Sequence, residues 1–348
     1  CVKFLSNSLS LEDANVWKDR YLHVVPGNHD IDRSAVISSG DLFDKFKPLL
    51  SSWSGHGSPG LSANNVGISQ ISYNGCSTSI FSLNTCIGCN ERRYLPEPIQ
   101  EQLYTLLDEY YKKTSISSDA FELIGEQLDT PAVLEAHISE IESKISKLDT
   151  KQVPVVLGHH GILPQPTVRV AIYTELINGG RLRSSFSSMQ APVIYCHGHI
   201  HEDPIEVVTY PKRKEGALIL IAAPLYSEGF NLINLHYNAK GFPVGCEVIP
   251  YRMHWSGSVR AEVPIRVALQ NSRSAEHVCH ARAVDVLKVT TGTYSRFNEI
   301  LTSVGKSSKS IQRNILFSIL IELDWLGLVD LQNRNDDCKY WQIRRIEP

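Results

Sequence analysis

The sequence predicts an α/β fold with a β-rich second half, and three observations indicate it. In the first part of the chain, short apolar runs of strand length alternate with stretches whose apolar residues recur at helical spacing. Four more strand-like runs then follow one another between residues 205 and 251. Beyond residue 255 the pattern changes to helices and one hairpin. We therefore expect a mixed α/β half, a β half and a small C-terminal unit.

The predicted elements of the first half alternate between helices and strands. Helices are expected where apolar residues share one face, at residues 11–20, 41–53, 98–111, 131–148 and 169–178. Strands are expected at the apolar runs 21–25, 66–73, 79–84, 153–157 and 193–195. A Gly/Ser-rich loop is expected at residues 54–65 and a variable insert at residues 115–129.

The second half predicts a run of strands and then a different kind of domain. The strands are expected at residues 205–210, 217–222, 229–237 and 244–251. Helices are expected at 276–289 and 307–326, followed by a hairpin of residues 329–331 and 340–343. Helix, helix and hairpin resemble a winged-helix domain. We expect a first domain over 1–255 and an accessory domain over 256–348, winged-helix-like from about residue 275.

Composition excludes several classes of function. The formal net charge of −3 on 348 residues argues against a chain-wide electrostatic grip on nucleic acid. No uninterrupted apolar run reaches the ~18 residues that a membrane span needs. The 8 cysteines form no regular disulfide pattern, which favours a reducing, cytoplasmic location. A zinc site at Cys86-x-x-Cys89 is disfavoured, because a structural zinc site needs four ligands and this pair stands alone.

Three short polar patches, each placed directly after an apolar strand-like run, carry the functional signal. Strand ends that lead into glycine-containing loops are where open α/β sheets gather ligands. Neutral imidazole is the commonest metal ligand, and an amide oxygen suits a hard divalent ion. The patches are Pro26-Gly27-Asn28-His29-Asp30, Leu157-Gly158-His159-His160-Gly161 and Cys196-His197-Gly198-His199-Ile200-His201. Together they predict a metal site.

The order Gly-Asn-His-Asp, strand-terminal His and Gly-His-x-His resembles the calcineurin-like metallophosphoesterase superfamily, and residues 24–33 resemble its bacterial cytosolic branch. The resemblance implies a two-sheet β-sandwich flanked by helices. Two early motifs of that family, Asp-x-His and Gly-Asp, do not stand before Asn28, since Gly40-Asp41 comes after it. Because the chain begins with Cys1, we expect both motifs, and a first strand, to lie upstream. A cleaved lipoprotein is disfavoured, since no Ser/Gly-rich tether follows.

The resemblance also implies a ligand set for two divalent ions, which could be Mn²⁺, Fe²⁺/Fe³⁺ or Zn²⁺. Asn28, His159 and His199 resemble the ligands of one ion, and His201 resembles a ligand of the other. The choice between adjacent histidines stays open, since His160 is the alternative to His159. Both ions would share an aspartate of the missing Gly-Asp motif, so we expect this segment alone to bind one ion weakly and to hydrolyse poorly.

The same resemblance gives His29 and Asp30 catalytic roles. His29 would face the phosphate and protonate the leaving group, and Asp30 would hold its other ring nitrogen. Asp30 could also cap a helix beginning at Ile31. His197 is expected to be packed or substrate-facing, and His23 structural.

The sequence thus predicts a metal-dependent phosphoesterase, acting on a phosphodiester through a dinuclear metal-activated water. The alternative is a catalytically impaired scaffold that binds nucleic acid or a protein partner through its C-terminal domain. From Gly305 onward the chain has seven Lys and Arg against six Asp and Glu, a weak footprint for nucleic acid. The natural substrate and the oligomeric state are not encoded in any pattern found.

Overall fold

The computed structural model describes the following residues of the chain: 23–31, 43–49, 66–73, 75–89, 98–99, 101–102, 105–106, 109, 129–149, 151–164, 176–189, 191–200, 205–208, 218–225, 227–238, 241–254, 257–269, 282–307, 310–334 and 336–346. The predicted helix at 11–20, the loop at 54–65, nearly all of the insert at 115–129 and the candidate ligand His201 lie outside these residues. The described positions of the predicted helix at 98–111 are helical.

A six-stranded mixed sheet forms the centre of the first domain, in the order β1-β2-β3-β4-β6-β5. Its strands are β1 (Gly67–Tyr73), β2 (Cys76–Ser82), β3 (Gln152–Leu157), β4 (Val193–His197), β5 (Ile205–Val208) and β6 (Leu218–Ala222). Strands β2, β3, β4 and β6 run parallel, while β1 and β5 are antiparallel edge strands. The four parallel strands therefore all end at the same edge of the sheet.

Alternate side chains of this sheet enter two different cores, because side chains on a strand point to opposite faces in turn. Val156, Tyr195 and Leu220 pack on one face against helices α1 (Glu135–Ile145) and α2 (Gly179–Ser187). On the other face, Val153, Ile194, Ile219 and Ile221 pack against a second sheet through Cys246 and Val248. Strand β6 is buried along its whole length, as expected for a central parallel strand.

The second sheet is antiparallel and consists of β7 (Gly229–Tyr237), β8 (Pro243–Met253), β9 (Val259–Ala261) and β10 (Ile265–Ala268). Strand β8 pairs with β7, β9 and β10. This sheet continues past residue 255, the predicted end of the first domain, because β9 and β10 both pair with β8. The predicted α/β class with a β-rich second half is confirmed.

The C-terminal unit combines helices α3 (Ala283–Val289), α4 (Phe297–Ser307) and α5 (Arg313–Trp325) with a three-stranded sheet. That sheet has the order β11-β13-β12, made from Ser295–Arg296, Gln342–Arg345 and Val329–Gln332. Its core is separate and is centred on Phe297, Leu316, Leu320 and Trp341. The predicted hairpin of residues 329–331 and 340–343 corresponds to β12 and β13, which pair antiparallel, whereas α4 and β11 were not predicted.

Several predicted elements need correction. Residues 23–25 of the predicted strand 21–25 belong to no sheet, although the ring of His23 lies 3.2 Å from Ser69 Oγ on β1. An apolar run cannot show whether a pairing partner is available. Residues 169–175 of the predicted helix 169–178 lie outside the described residues, residues 176–178 are not helical, and helix α2 begins at Gly179. Of the predicted helix 307–326, residues 313–325 form α5, Ser307 is the last residue of α4, and residues 310–312 are not helical.

None of the helices in the described ranges combines the length and the apolar character needed to cross a bilayer.

Candidate metal centre

The histidine patches lie at the edge where the parallel strands end. His159 and His160 follow β3, and His199 follows β4, two strands that are direct neighbours in the sheet. The hydrogen bonding of the sheet continues into these loops. The N–H of Gly158 donates to the Cys196 carbonyl, and that of Gly198 donates to the His159 carbonyl, each at 3.0 Å. The loops are thus held in register beyond the ends of the strands.

Asn28 reaches this edge from a separate segment. It opens a short 3-10 helix, Asn28–Asp30, and only 7% of its surface is exposed. Its side-chain oxygen, Oδ1, lies 3.0 Å from Nε2 of His159. A Cβ added at Gly27 would lie 3.1 Å from Cε1 of His159, so a larger residue there would have to shift the imidazole by a few tenths of an ångström. The structure therefore brings together Asn28 and His159, which are 131 positions apart.

His199 completes the arrangement with an unusual backbone. Its φ of 69° lies in the left-handed region, and the Ile200 N–H donates to the Gly198 carbonyl at 2.9 Å. These values describe a three-residue γ-turn centred on the histidine. A residue other than glycine in this region costs about 1–3 kcal/mol, and such residues cluster at functional sites. The turn points the ring of His199 to within 5.1 Å, centroid to centroid, of the ring of His159.

His160, the alternative to His159 in the sequence, also lies in this cluster. The ligand atoms of His159, His160 and His199 all lie within 4.8 Å of one another. Only 1% of His160 is exposed, and burial lowers its pKa well below the usual range, helped by the neighbouring His159 and His199. Its ring is therefore neutral at pH 7.

The hydroxyl of Thr85 decides which nitrogen of His160 carries the proton. Thr85 Oγ1 accepts hydrogen bonds from the backbone N–H groups of His159 and His160, both at 3.1 Å. With both lone pairs used, its own proton is available for Nδ1 of His160, 3.0 Å away. Nδ1 is then the acceptor, and Nε2 of the neutral ring carries the hydrogen. This tautomer favours His159 over His160 as the ligand beside Asn28.

Of the predicted catalytic pair, His29 and Asp30 are both exposed, on the same turn as Asn28. The Asp30 carboxylate accepts a hydrogen bond from the Gly27 N–H at 2.9 Å, and the Asp30 N–H donates to the Gly27 carbonyl at 3.1 Å. This reciprocal pair fixes the turn. A contact between Asp30 and the ring of His29 stays a prediction. Asp30 does not cap a helix beginning at Ile31, because Ile31 is extended, with φ −91° and ψ 127°.

His197 is packed rather than open to substrate. Only 7% of it is exposed, and its Nδ1 lies 3.2 Å from the Gly198 carbonyl. Burial lowers the pKa of this histidine, partly offset by that hydrogen bond. Its ring fills the space beside Gly161, where an added Cβ would meet it at 3.1 Å.

The donor atoms present fit a divalent ion. Two atoms bound to one ion at about 2.1 Å each, with a right angle between them, lie about 3.0 Å apart. Asn28 Oδ1 and His159 Nε2 have this separation, which is also the length of a hydrogen bond from a protonated Nε2 to Oδ1. The set of one amide oxygen and imidazole nitrogens suits Mn²⁺, Fe or Zn²⁺. Asn28, His159 and His199 are the residues predicted to hold one ion, and the structure brings Asn28 to His159 and His159 to His199.

A second group of potential ligands lies behind this site and was largely missed by the sequence analysis. Cys86, Cys89 and His160 are all buried, and their ligand atoms lie within 4.8 Å of one another. The spacing of the two cysteines was visible in the sequence. The third member was not, because His160 comes from the end of another strand.

Comparison with models of protein families gives no match to this chain. Comparison with curated proteins gives none either.

Proposed function

We propose that this protein is a metal-dependent phosphoesterase, of the calcineurin-like type, that hydrolyses a phosphodiester. The observation that supports this most is the 3.0 Å approach of Asn28 Oδ1 to His159 Nε2, next to His199 at the ends of two neighbouring parallel strands. In this proposal the first domain is a calcineurin-like sandwich and the C-terminal unit is a winged helix.

The residues of the site would divide the work as follows. Asn28, His159 and His199 hold one divalent ion, and His201 contributes to a second. Ions bound there would supply Lewis-acid polarisation of a phosphoryl oxygen and a more acidic water. His29, exposed on the turn that begins with Asn28, is placed to give a proton to the leaving oxygen. The bond between Asp30 and Gly27 keeps that turn in shape.

The free thiols fit a reducing compartment. In the described ranges the six cysteines Cys76, Cys86, Cys89, Cys196, Cys246 and Cys338 are free. Disulfides persist in oxidising compartments and are rare in the cytosol. The proposal includes a cytoplasmic location, which these free thiols fit.

The test is hydrolysis of bis-p-nitrophenyl phosphate and of p-nitrophenyl phosphate with added Mn²⁺. Changes around metal ligands commonly cost about 10–100-fold, so His199→Ala should lower the rate at least about 100-fold. His254→Ala is the matched control, because this histidine is exposed near the end of β8 and belongs to neither ligand group. In calorimetry, His199→Ala should bind Mn²⁺ more weakly than the wild type, and His254→Ala should bind it as the wild type does.

The proposal fails if neither ester is turned over in a metal-dependent way. Binding of Mn²⁺ without turnover would then favour a scaffold that acts through its C-terminal unit. Turnover of the monoester alone would support the proposed phosphoesterase activity and contradict the proposed phosphodiester substrate.

A further inference from the structure

We propose that Cys86, Cys89 and His160 form a second, structural metal site that takes Zn²⁺, separate from the site of Asn28, His159 and His199. The exposed fractions of the three residues are 0%, 0% and 1%, so the site would be closed to solvent. The inference does not depend on the proposed function, since it concerns different ligands and a different metal.

The geometry of the cluster is close to that of a zinc site. Sγ of Cys86 lies 3.9 Å from Nδ1 of His160. In a tetrahedral zinc site, sulfur and nitrogen ligands at about 2.3 Å and 2.05 Å lie about 3.5 Å apart. The observed separation is longer than this by about 0.4 Å. The Cys89 N–H donates to the Cys86 carbonyl at 3.0 Å, so a tight turn already holds the two cysteines together.

The tautomer of His160 makes it a ligand for this site. Nδ1 of His160 has a single lone pair, which accepts the Thr85 hydroxyl proton in the metal-free protein. For Nδ1 to bind Zn²⁺ the Thr85 hydroxyl has to release it, and the lone pair is then available to an ion beside Cys86, whose Sγ lies 3.9 Å away. The other nitrogen carries the hydrogen and is closed to an ion beside His159. The two metal sites are therefore adjacent, but only the cysteine site would use His160 as a ligand.

The charge balance also favours zinc. Cys86 Sγ donates a hydrogen bond to the Pro26 carbonyl at 3.2 Å. When Zn²⁺ binds, each thiol loses its proton to solvent, and that carbonyl is left beside the ion as a fourth, oxygen donor. Zinc with two thiolates and a neutral imidazole adds no net charge, which matters because a charged side chain is already buried here.

That charged side chain is Lys45, of which 1% is exposed. Its Nζ donates to the carbonyl of Cys89 at 2.7 Å and to the carbonyl of Ile87. These two bonds fix the backbone of the cysteine turn from one side. Burial, then the hydrogen bond and charge of Cys89 and the charge of Asp129, raise the pKa of the Cys86 thiol well above its usual range, and Lys45 opposes them. The turn is thus built around a buried cation before any metal binds.

Soft thiolate ligands select zinc over manganese, so the two sites should differ in metal. The experiment is titration of the metal-free full chain with Co²⁺, which gives a thiolate-to-cobalt charge-transfer band only where cysteine binds the ion. We expect the band in the wild type, its retention in His159→Ala, and its loss in Cys86→Ser and in Cys89→Ser. His160→Ala should weaken zinc binding at least about tenfold.

Cys76→Ser is the matched control, since Cys76 opens β2 and lies outside the cluster, and it should keep the band. If the serine variants do not fold, X-ray absorption at the zinc edge of the wild type decides. It should show sulfur neighbours at about 2.3 Å. The inference is wrong if the wild type gives no such band and no zinc–sulfur scattering, or if mass analysis finds Cys86 and Cys89 joined as a disulfide. Loss of phosphoesterase activity in His159→Ala with an intact band would leave it standing.

Discussion

The N–H of Ile200 donates to the carbonyl of Gly198 at 2.9 Å, and this bond holds His199 between them at a φ of 69°. The left-handed conformation costs a residue with a Cβ about 1–2 kcal/mol. Glycine adopts it freely. The backbone conformation at His199 therefore lowers the stability of the protein and at the same time orients the imidazole ring.

This relationship predicts an unequal effect of two substitutions that both remove the imidazole. His199→Gly should have a free energy of unfolding about 1 kcal/mol higher than His199→Ala, because only alanine keeps the backbone strain. Urea denaturation in the presence of a chelator measures the difference without any metal contribution. Equal stabilities would show that the turn is not strained. Both variants should bind Mn²⁺ equally weakly.

The Thr85 hydroxyl gives a second prediction. Thr85→Val removes the acceptor of the His159 and His160 N–H groups, and an unpaired buried donor costs about 1–3 kcal/mol. We expect Thr85→Val to lower the free energy of unfolding by at least about 2 kcal/mol, and Thr85→Ser to restore most of the loss.

Thr290→Val is the control for this change. Thr290 is also buried, and its hydroxyl donates to the Val286 carbonyl, which already accepts the Thr290 N–H. Removing the hydroxyl therefore leaves no orphaned backbone group, and the loss should stay below about 1 kcal/mol. A loss as large as that of Thr85→Val would contradict the role we give to Thr85.

Much of the fold could be predicted because its strands are apolar and regular. The run 229–237 was predicted with the bounds that β7 has. Helix α4 was not predicted, although Phe297, Ile300 and Val304 follow the helical period and are all buried. The lack of strand structure at residues 23–25 could not be predicted. Strand pairing depends on a neighbouring strand, and the local sequence does not identify one.

The site was predictable only where its residues stand in one motif. Asn28, His159 and His199 follow from the order of the three patches, and two of them share a contact. The roles of Thr85 and of His160 in the buried cluster could not be foreseen. Both roles depend on loops that follow different strands and meet at one edge of the sheet. Such contacts between distant parts of the chain cannot be read from the spacing of residues in the sequence.

A third prediction concerns the pH dependence of stability through His236 on β7. Its ring lies 4.6 Å from that of Trp325 on α5, and its Nε2 lies 3.7 Å from Glu247 Oε2. Burial lowers its pKa, Glu247 opposes this, and Arg334 and Arg266 add to it. The folded state thus binds the proton more weakly than the unfolded state, whose pKa is about 6.5.

Since the unfolded state takes up the proton first, stability from His236 is present above about pH 6.5 and is lost as the pH falls through the lower folded-state pKa. We expect the free energy of unfolding to drop more steeply between pH 7 and pH 5 in the wild type than in His236→Gln. Urea titrations at several pH values measure this. If the free energy of unfolding depends on pH in the same way in the wild type and in His236→Gln, His236 does not contribute to the pH dependence.

A last prediction concerns the contact of the C-terminal unit with the second sheet. A Cβ on Gly245 of β8 would lie 2.1 Å from Cε3 of Trp325, so only glycine leaves room for the indole. The indole is 4% exposed, and the Arg334 guanidinium lies 4.8 Å from the centre of its ring. Nearby, the Asn238 amide donates to Glu322 at 2.9 Å across the same boundary. The indole is therefore the apolar centre of this interface.

Trp325→Ala should lower the free energy of unfolding by about 3–5 kcal/mol, as expected for loss of a buried large aromatic. Gly245→Val should cost less, about 1–3 kcal/mol, because the units can move apart slightly. Tyr340→Ala is the control, since Tyr340 is aromatic but 59% exposed on the same unit. Denaturation of the three variants in urea tests the order. If Gly245→Val leaves stability unchanged, Trp325 does not pack against β8, and the two units are joined by other contacts.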